Sequence, residues 1–154
     1  MKGSQATLAA EREPAPTWLM ARVGGAVATL AVGGVHLLQY LTLYSSVPAI
    51  GTLFVLNFAG ATVIALVLLA PVERLAGRRG ASAVALASLA GIGLAATAFV
   101  FLLISEHTTL FGFHEPGYDP RAIAFSRVAE LVAVALLSAY AVARFVVRVP
   151  VPRW

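Results

Sequence analysis

The chain has 154 residues, 60% of them hydrophobic and 12% charged, with a formal net charge of +4 and a mean hydropathy of +0.88. Soluble domains carry roughly 45–50% apolar residues, so this composition excludes an ordinary water-soluble domain as the organising unit. Cysteine is absent, which excludes disulfides, thiolate catalysis, thiolate zinc sites and cysteine-bound iron–sulfur clusters.

Residues 1–20 mix Ser, Glu, Arg and Pro, and Pro14 and Pro16 disfavour a helix there, so this segment reads as a flexible cytoplasmic tail. The first apolar run begins only after Arg22 and is longer than the core of a signal peptide, so it is expected to stay as a membrane span. Four such runs, at about residues 23–43, 49–70, 82–104 and 123–143, each reach the roughly 20 residues that a bilayer-spanning helix needs. They predict an all-α membrane protein: four transmembrane helices in an antiparallel bundle, a single domain over 21–148, with a tail at 149–154.

Charge sets the orientation. With both termini cytoplasmic, Lys2, Arg12, Arg22, Arg74, Arg78, Arg79, Arg144, Arg148 and Arg153 fall inside, and only Arg121 and Arg127 fall outside. The expected location is the plasma membrane, multi-pass. Trp18 and Trp154 would then flank the inner interface and Tyr40, Tyr44 and Tyr118 the outer one. The basic residues gather at span ends rather than in one patch, so no nucleic-acid partner is expected; the bilayer is the partner, with a homo-oligomer or larger membrane complex left open.

Within span one, Gly25, Thr29 and Gly33 repeat at four-residue spacing, as do Ala83, Ala87, Gly91 and Ala95 in span three. Such small-residue faces let helices approach closely, within one protomer or between two. Ser45 or Ser46 is a candidate cap for the second helix ahead of Pro48. Asp119 followed by Pro120 has the same form for the fourth, and Pro71 with Gly77 to Gly80 should form the cytoplasmic loop.

The polar residues of the spans converge toward one level. His36 continues the small face of span one, followed on that face by Gln39 and Tyr40, and lies roughly 10 Å below the outer boundary. Asn57 in span two and Glu130 in span four lie at a similar depth, with Glu106 and His107 just above them at the end of span three. Arg127, one turn before Glu130, is the expected ion-pair partner of that carboxylate. His36, Gln39, Tyr40, Asn57, Glu106, His107, Arg127 and Glu130 are therefore the candidate ligand-binding residues of an outer-leaflet polar pocket. The competing reading is that these groups bond one another and fix helix register, since polar contacts between membrane helices serve packing as often as binding.

No metal motif is present: neither His-Glu-x-x-His nor Glu-x-x-His occurs, although His36, Glu106, His107, His114 and Glu115 lie toward the outside. Haem between His36 and His107 would require both rings inside the bundle, and His107 stands at a helix end. No cofactor is expected and no catalytic residue is assigned; Ser105 beside Glu106 and His107 lacks a defined base geometry. The loop from Thr108 to Tyr118, with Phe111, Phe113 and His114, either lies at the interface or folds back as an aromatic lid.

Val35-His36-Leu37 in span one and Gly51-Thr52-Leu53-Phe54-Val55-Leu56-Asn57 in span two resemble small four-helix integral membrane proteins of bacteria rich in Ala, Val, Gly and Arg. The resemblance implies the same four-span topology and adds no catalytic residue, since those proteins have no assigned activity. Function is thus expected to be that of a structural or accessory membrane component. Two alternatives are small-solute, ion or metal binding or transport around His36 and Glu130, and a haem-binding redox protein.

Overall fold

A computed structural model describes residues 17–146; Lys2, Arg12, Arg148, Arg153 and Trp154 lie outside them, and residues 17–20 of the expected tail are instead the first turn of a helix, which starts ahead of the expected span. The described chain is helical and contains no strand. α1 (Thr17–Gln39) widens into a π-turn at Tyr40–Tyr44, followed by α2 (Pro48–Leu69), α3 (Val72–His107) and α4 (Pro120–Ala141), which ends in a second π-turn at Val142–Val146. All four helices are long and apolar enough to cross a membrane, by length and composition.

The helix starts follow local chemistry. Pro48 and Pro120 occupy first-turn positions, where a missing N–H costs nothing. Asp119 caps α4 as expected, its Oδ1 accepting from the Ala122 N–H at 3.0 Å. Neither Ser45 nor Ser46 caps α2. Val47 holds that place without a side-chain bond, because the backbone closes the turn itself through Val47 N–H to Tyr44 O at 3.1 Å and Gly51 N–H to Val47 O at 2.7 Å.

The expected cytoplasmic loop is mostly helical. α3 starts right after Pro71 and is broken only at Gly77, whose φ of 52° and ψ of −123° admit a residue without Cβ. The chain then doubles back so tightly that a Cβ at Gly80 would stand 2.0 Å from the Val72 carbonyl oxygen. Gly77→Ala is expected to destabilise the protein by about 1–3 kcal/mol through backbone strain. Gly80→Ala, which must displace backbone, is expected to lower the thermal midpoint in detergent further; an unchanged midpoint for either would refute the tight turn.

α1 packs on α2 and α4, and α3 packs on the same two helices, while α1 and α3 barely touch; α2 and α3 make the loosest of the four neighbouring contacts. Small side chains carry this packing: Ala26, Ala61, Ala65, Ala95 and Ala133 are fully buried. The two small-residue faces meet through α4. A Cβ at Gly25 would come within 2.5 Å of the Leu137 side chain and one at Gly91 within 2.6 Å, so Leu137 is clasped by glycines from α1 and α3. In a bilayer, where lipid supplies no hydrophobic drive between helices, such close contact is what would hold them together. Leu137→Ala is expected to cost about 2–5 kcal/mol in unfolding free energy, as other buried leucine truncations do.

Polarity is distributed inside out. Leu56, Leu86 and Val128 are more than 60% exposed, whereas Arg22, His36, Gln39 and Glu130 are buried. Soluble proteins do the reverse with their ionisable groups. At the end of the bundle away from the Tyr44–Pro48 turn, Arg22 donates to the Leu68 carbonyl at 2.6 Å and the Ala70 carbonyl at 3.1 Å, capping the end of α2, and pairs with Glu73 at 2.6 Å. Trp18 packs there under the Arg144 guanidinium, 5.0 Å from the ring centre.

Candidate functional site

Toward the opposite end, the loose α2–α3 contact leaves a cavity of about 390 Å³ bounded by all four helices and the loop after α3. Its wall is mostly apolar, with a few polar groups drawn from different helices. That is the usual build of a small-molecule site.

His36 enters from α1. Its Nδ1 lies 2.8 Å from the Val32 carbonyl oxygen, and because a carbonyl only accepts, Nδ1 carries the hydrogen. In the neutral ring Nε2 is then an acceptor. Phe54 of α2 braces the imidazole edge-to-face at 4.9 Å, and three residues on, on the same face, Asn57 joins the cavity wall. The Asn57 Oδ1 is buried and without a partner.

Glu130 enters from α4 and is 1% exposed. One carboxylate oxygen accepts from the Ser126 hydroxyl at 2.8 Å, one turn earlier; the other, Oε2, has no partner. The expected pairing with Arg127 does not form. Arg127 reaches across to Glu106 at the end of α3, because its position on α4 faces that helix while Glu130 faces the interior. Buried polar atoms in native proteins nearly always find a partner, so two orphaned acceptors in one cavity wall call for an explanation.

The loop after α3 closes one side. Leu110 and Phe113 exchange backbone hydrogen bonds of 2.7 and 2.9 Å, and Leu110, Phe113 and Glu115 all face the cavity. Glu115 fixes this fold. Its N–H bonds the Ser105 carbonyl at 2.8 Å, one carboxylate oxygen accepts the Gly117 and Tyr118 N–H groups at 2.8 and 3.0 Å, and the other accepts the Tyr44 hydroxyl. Tyr44, expected among the interfacial rings, is buried by this bond and by Phe54 and Phe113, whose rings stand 5.1 and 5.4 Å away.

Of the candidate residues, His36, Asn57 and Glu130 share the cavity. Gln39 instead donates to Asp119 at 3.0 Å, and Tyr40 lies against Gly51. Glu106 and Arg127 form their own ion pair, and His107 is exposed with Nδ1 on the Leu103 carbonyl at 2.8 Å. His36 and His107 thus occupy different surroundings, which gives no support to a two-histidine haem site. Among the described residues no group of three His, Cys, Asp or Glu converges as a metal site would require. Ser126, Phe54 and Tyr44 are wall or supporting residues that the sequence reading passed over. Ser126 had a usable signal, its four-residue spacing from Glu130.

No family model, curated protein or solved structure matches the chain. The functional reading therefore rests on geometry.

At the start of α4, Asp119 is held below the ordinary carboxylate range, first by the Ala122 N–H and then by Gln39. A carboxylate with a lowered folded value contributes stability above its unfolded titration range and loses that contribution as pH falls through the folded one. Asp119→Ala is accordingly expected to lower the thermal midpoint at neutral pH, with the gap to the parent protein closing in acid. A gap that is constant with pH would show that the carboxylate charge plays no part.

Proposed function

We propose that the chain is a multi-pass plasma-membrane protein, an antiparallel four-helix bundle with both termini cytoplasmic. In this reading it serves as an accessory membrane component that holds a small, largely apolar ligand in the outer half of the bundle. The observation that carries this reading is the pairing of an apolar cavity with two buried, unpartnered acceptors, Asn57 Oδ1 and Glu130 Oε2. A purely structural polar layer would satisfy its own groups, since leaving a buried acceptor unpaired costs about 1–3 kcal/mol. Gln39 and Asp119 bond each other, and Arg127 pairs with Glu106 through one nitrogen while its Nε is left without a partner; the cavity wall holds two such open acceptors, from two different helices.

Gly93 supplies the test. It lines the cavity, and a Cβ there would meet nothing within 4 Å. Gly93→Leu should fill the space without disturbing the helices, so the folded state should be at least as heat-stable as the parent. Solvent extracts of the parent protein, purified in mild detergent, are expected to contain one small molecule in near-stoichiometric amount that Gly93→Leu lacks. Equal content in the two preparations would overturn the proposal.

Orientation is tested separately and without background, because the chain has no cysteine. Gly112→Cys should react with a membrane-impermeant maleimide on intact cells, and Arg78→Cys only after permeabilisation. The reverse pattern would invert the topology.

A further inference from the structure

The chemistry of the cavity wall restricts its ligand. Two carboxylates, Glu115 and Glu130, line it, and no Lys or Arg does. Glu115 is saturated by the Tyr44 hydroxyl and two backbone N–H groups. Glu130 has a single internal donor, Ser126, and the nearest cation along its helix, Arg127, is engaged by Glu106. The wall therefore presents two buried acceptors in need of donors, Glu130 Oε2 and Asn57 Oδ1, beside a His36 ring whose Nε2 accepts when the ring is neutral. A buried carboxylate also needs a countercharge, because an ion moved into an apolar wall is costly unless paired and hydrogen-bonded.

Resting on the reading of this cavity as a ligand site, we propose that it takes a lipophilic amine in its protonated form. Glu130 serves as the counterion, Asn57 as a second acceptor, and the apolar body of the amine lies among Phe54, Leu94 and Phe101. A protonated amine supplies both missing items at once, several N–H donors and one positive charge. An alcohol supplies one donor and no charge, and a carboxylic acid would face Glu130 with like charge. A quaternary ammonium brings charge but no N–H.

The route of access agrees with an amphipathic ligand. Leu56 belongs to the cavity wall and is also 61% exposed on the outer surface of the helices. An exposed wall residue on α2 is what a side entrance between α2 and α3, the loosest of the four neighbouring contacts, would require. Lipophilic amines concentrate at the headgroup boundary with their apolar parts in the acyl region, next to such a window.

The experiment uses the full chain in lipid nanodiscs and three probes that share one fluorescent ring system: naphthylmethylamine, naphthylmethanol and naphthoate. Binding is measured against empty nanodiscs, for the parent protein, Gly93→Leu, Glu130→Gln and Glu130→Asp. The amine is expected to bind about tenfold or more tightly than the alcohol, and naphthoate not at all. Gly93→Leu should abolish amine binding, Glu130→Gln should reduce it to the level of the alcohol, and Glu130→Asp should keep a preference for the amine. The comparison of probes on the parent protein decides the matter even where Glu130→Gln fails to fold.

Equal binding of amine and alcohol, or preference for naphthoate, would overturn the amine proposal while leaving the cavity as a ligand site. Amine binding that survives Gly93→Leu would place the probe elsewhere and overturn the amine proposal. Absence of amine binding would overturn the amine proposal alone, since the cavity reading answers to the extracted molecule.

Discussion

Arg22→Met is expected to lower the unfolding free energy in detergent by about 3 kcal/mol, at the lower end of what breaking a buried ion pair costs. Methionine keeps the length and most of the apolar stem, so the loss reads the guanidinium. That group makes three bonds at once. It neutralises Glu73, and it occupies the carbonyls of Leu68, in the last turn of α2, and of Ala70, just past its end, which have no helical partner. Its side chain is 8% exposed, whereas that of Glu73 is 30% exposed, so the orphaned carboxylate recovers part of its hydration. Arg144, 3.8 Å from Glu73, supplies a second, weaker countercharge. Both facts place the effect at the low end. The double variant Arg22→Met with Glu73→Gln removes the stranded charge but not the stranded carbonyls, and should recover only part of the loss. Complete recovery would show that the carbonyl bonds contribute nothing; no loss in the single variant would show that this end of the bundle is held by packing alone.

Arg22 also shows where sequence reading stops. Its position at the start of an apolar run was enough to place it at one end of the bundle, and the four helices and the prolines at two helix starts follow from hydropathy and local chemistry in the same way, whereas the extra turns of α3 before residue 82 did not. Its partners are 46 to 51 residues away, and no periodicity encodes them. The same limit explains Arg127. Helical spacing correctly puts it one turn from Glu130, but spacing cannot say which of two neighbouring carboxylates a long, flexible guanidinium will reach, and the third helix brings Glu106 closer.

The layer of His36, Asn57 and Glu130 was legible because helical rise converts residue number into depth. Gln39, assigned by helical face, is indeed buried beside His36 but is taken up by Asp119, and His107, placed just above the layer, is exposed, since spacing along one helix does not say what the neighbouring elements offer. The cavity itself was not legible. It arises where α2 and α3 fail to close on each other, and an absence of packing leaves no mark in composition or periodicity. The buried Tyr44 belongs with it: an aromatic ring at a span end normally marks the interface, and this one is drawn inside by Glu115, 71 residues on, together with the rings of Phe54 and Phe113.

That contact sets the second large effect. Glu115→Ala is expected to cost about 2–4 kcal/mol, because it removes the acceptor of the Tyr44 hydroxyl and of two backbone N–H groups, and a hydrogen bond to a charged group contributes roughly 1.5–3 kcal/mol net. The loss should be local before it is global. Residues 108–118 cross over the cavity through left-handed positions at Phe111, Gly112 and Gly117, with φ of 51°, 79° and 90°. Phe111 holds such a conformation only while its surroundings impose it. Without Glu115 the loop loses its tie to α1, Leu110 and Phe113 leave the cavity wall, and the cavity gains an opening on the loop side. Amide exchange in 108–118 should rise sharply in Glu115→Ala while the midspan amides of α1 and α4 keep their protection. Tyr44→Phe, which deletes one hydroxyl and leaves the backbone bonds of Glu115 intact, should show the same change at about a third of the size. A bound naphthylmethylamine should dissociate faster from both variants than from the parent, in the same order. Unchanged exchange in the loop of Glu115→Ala would mean that the aromatic contacts of Phe113 with Tyr44 and of Phe111 with Phe101 hold it alone, and that the buried carboxylate at its base is not its anchor.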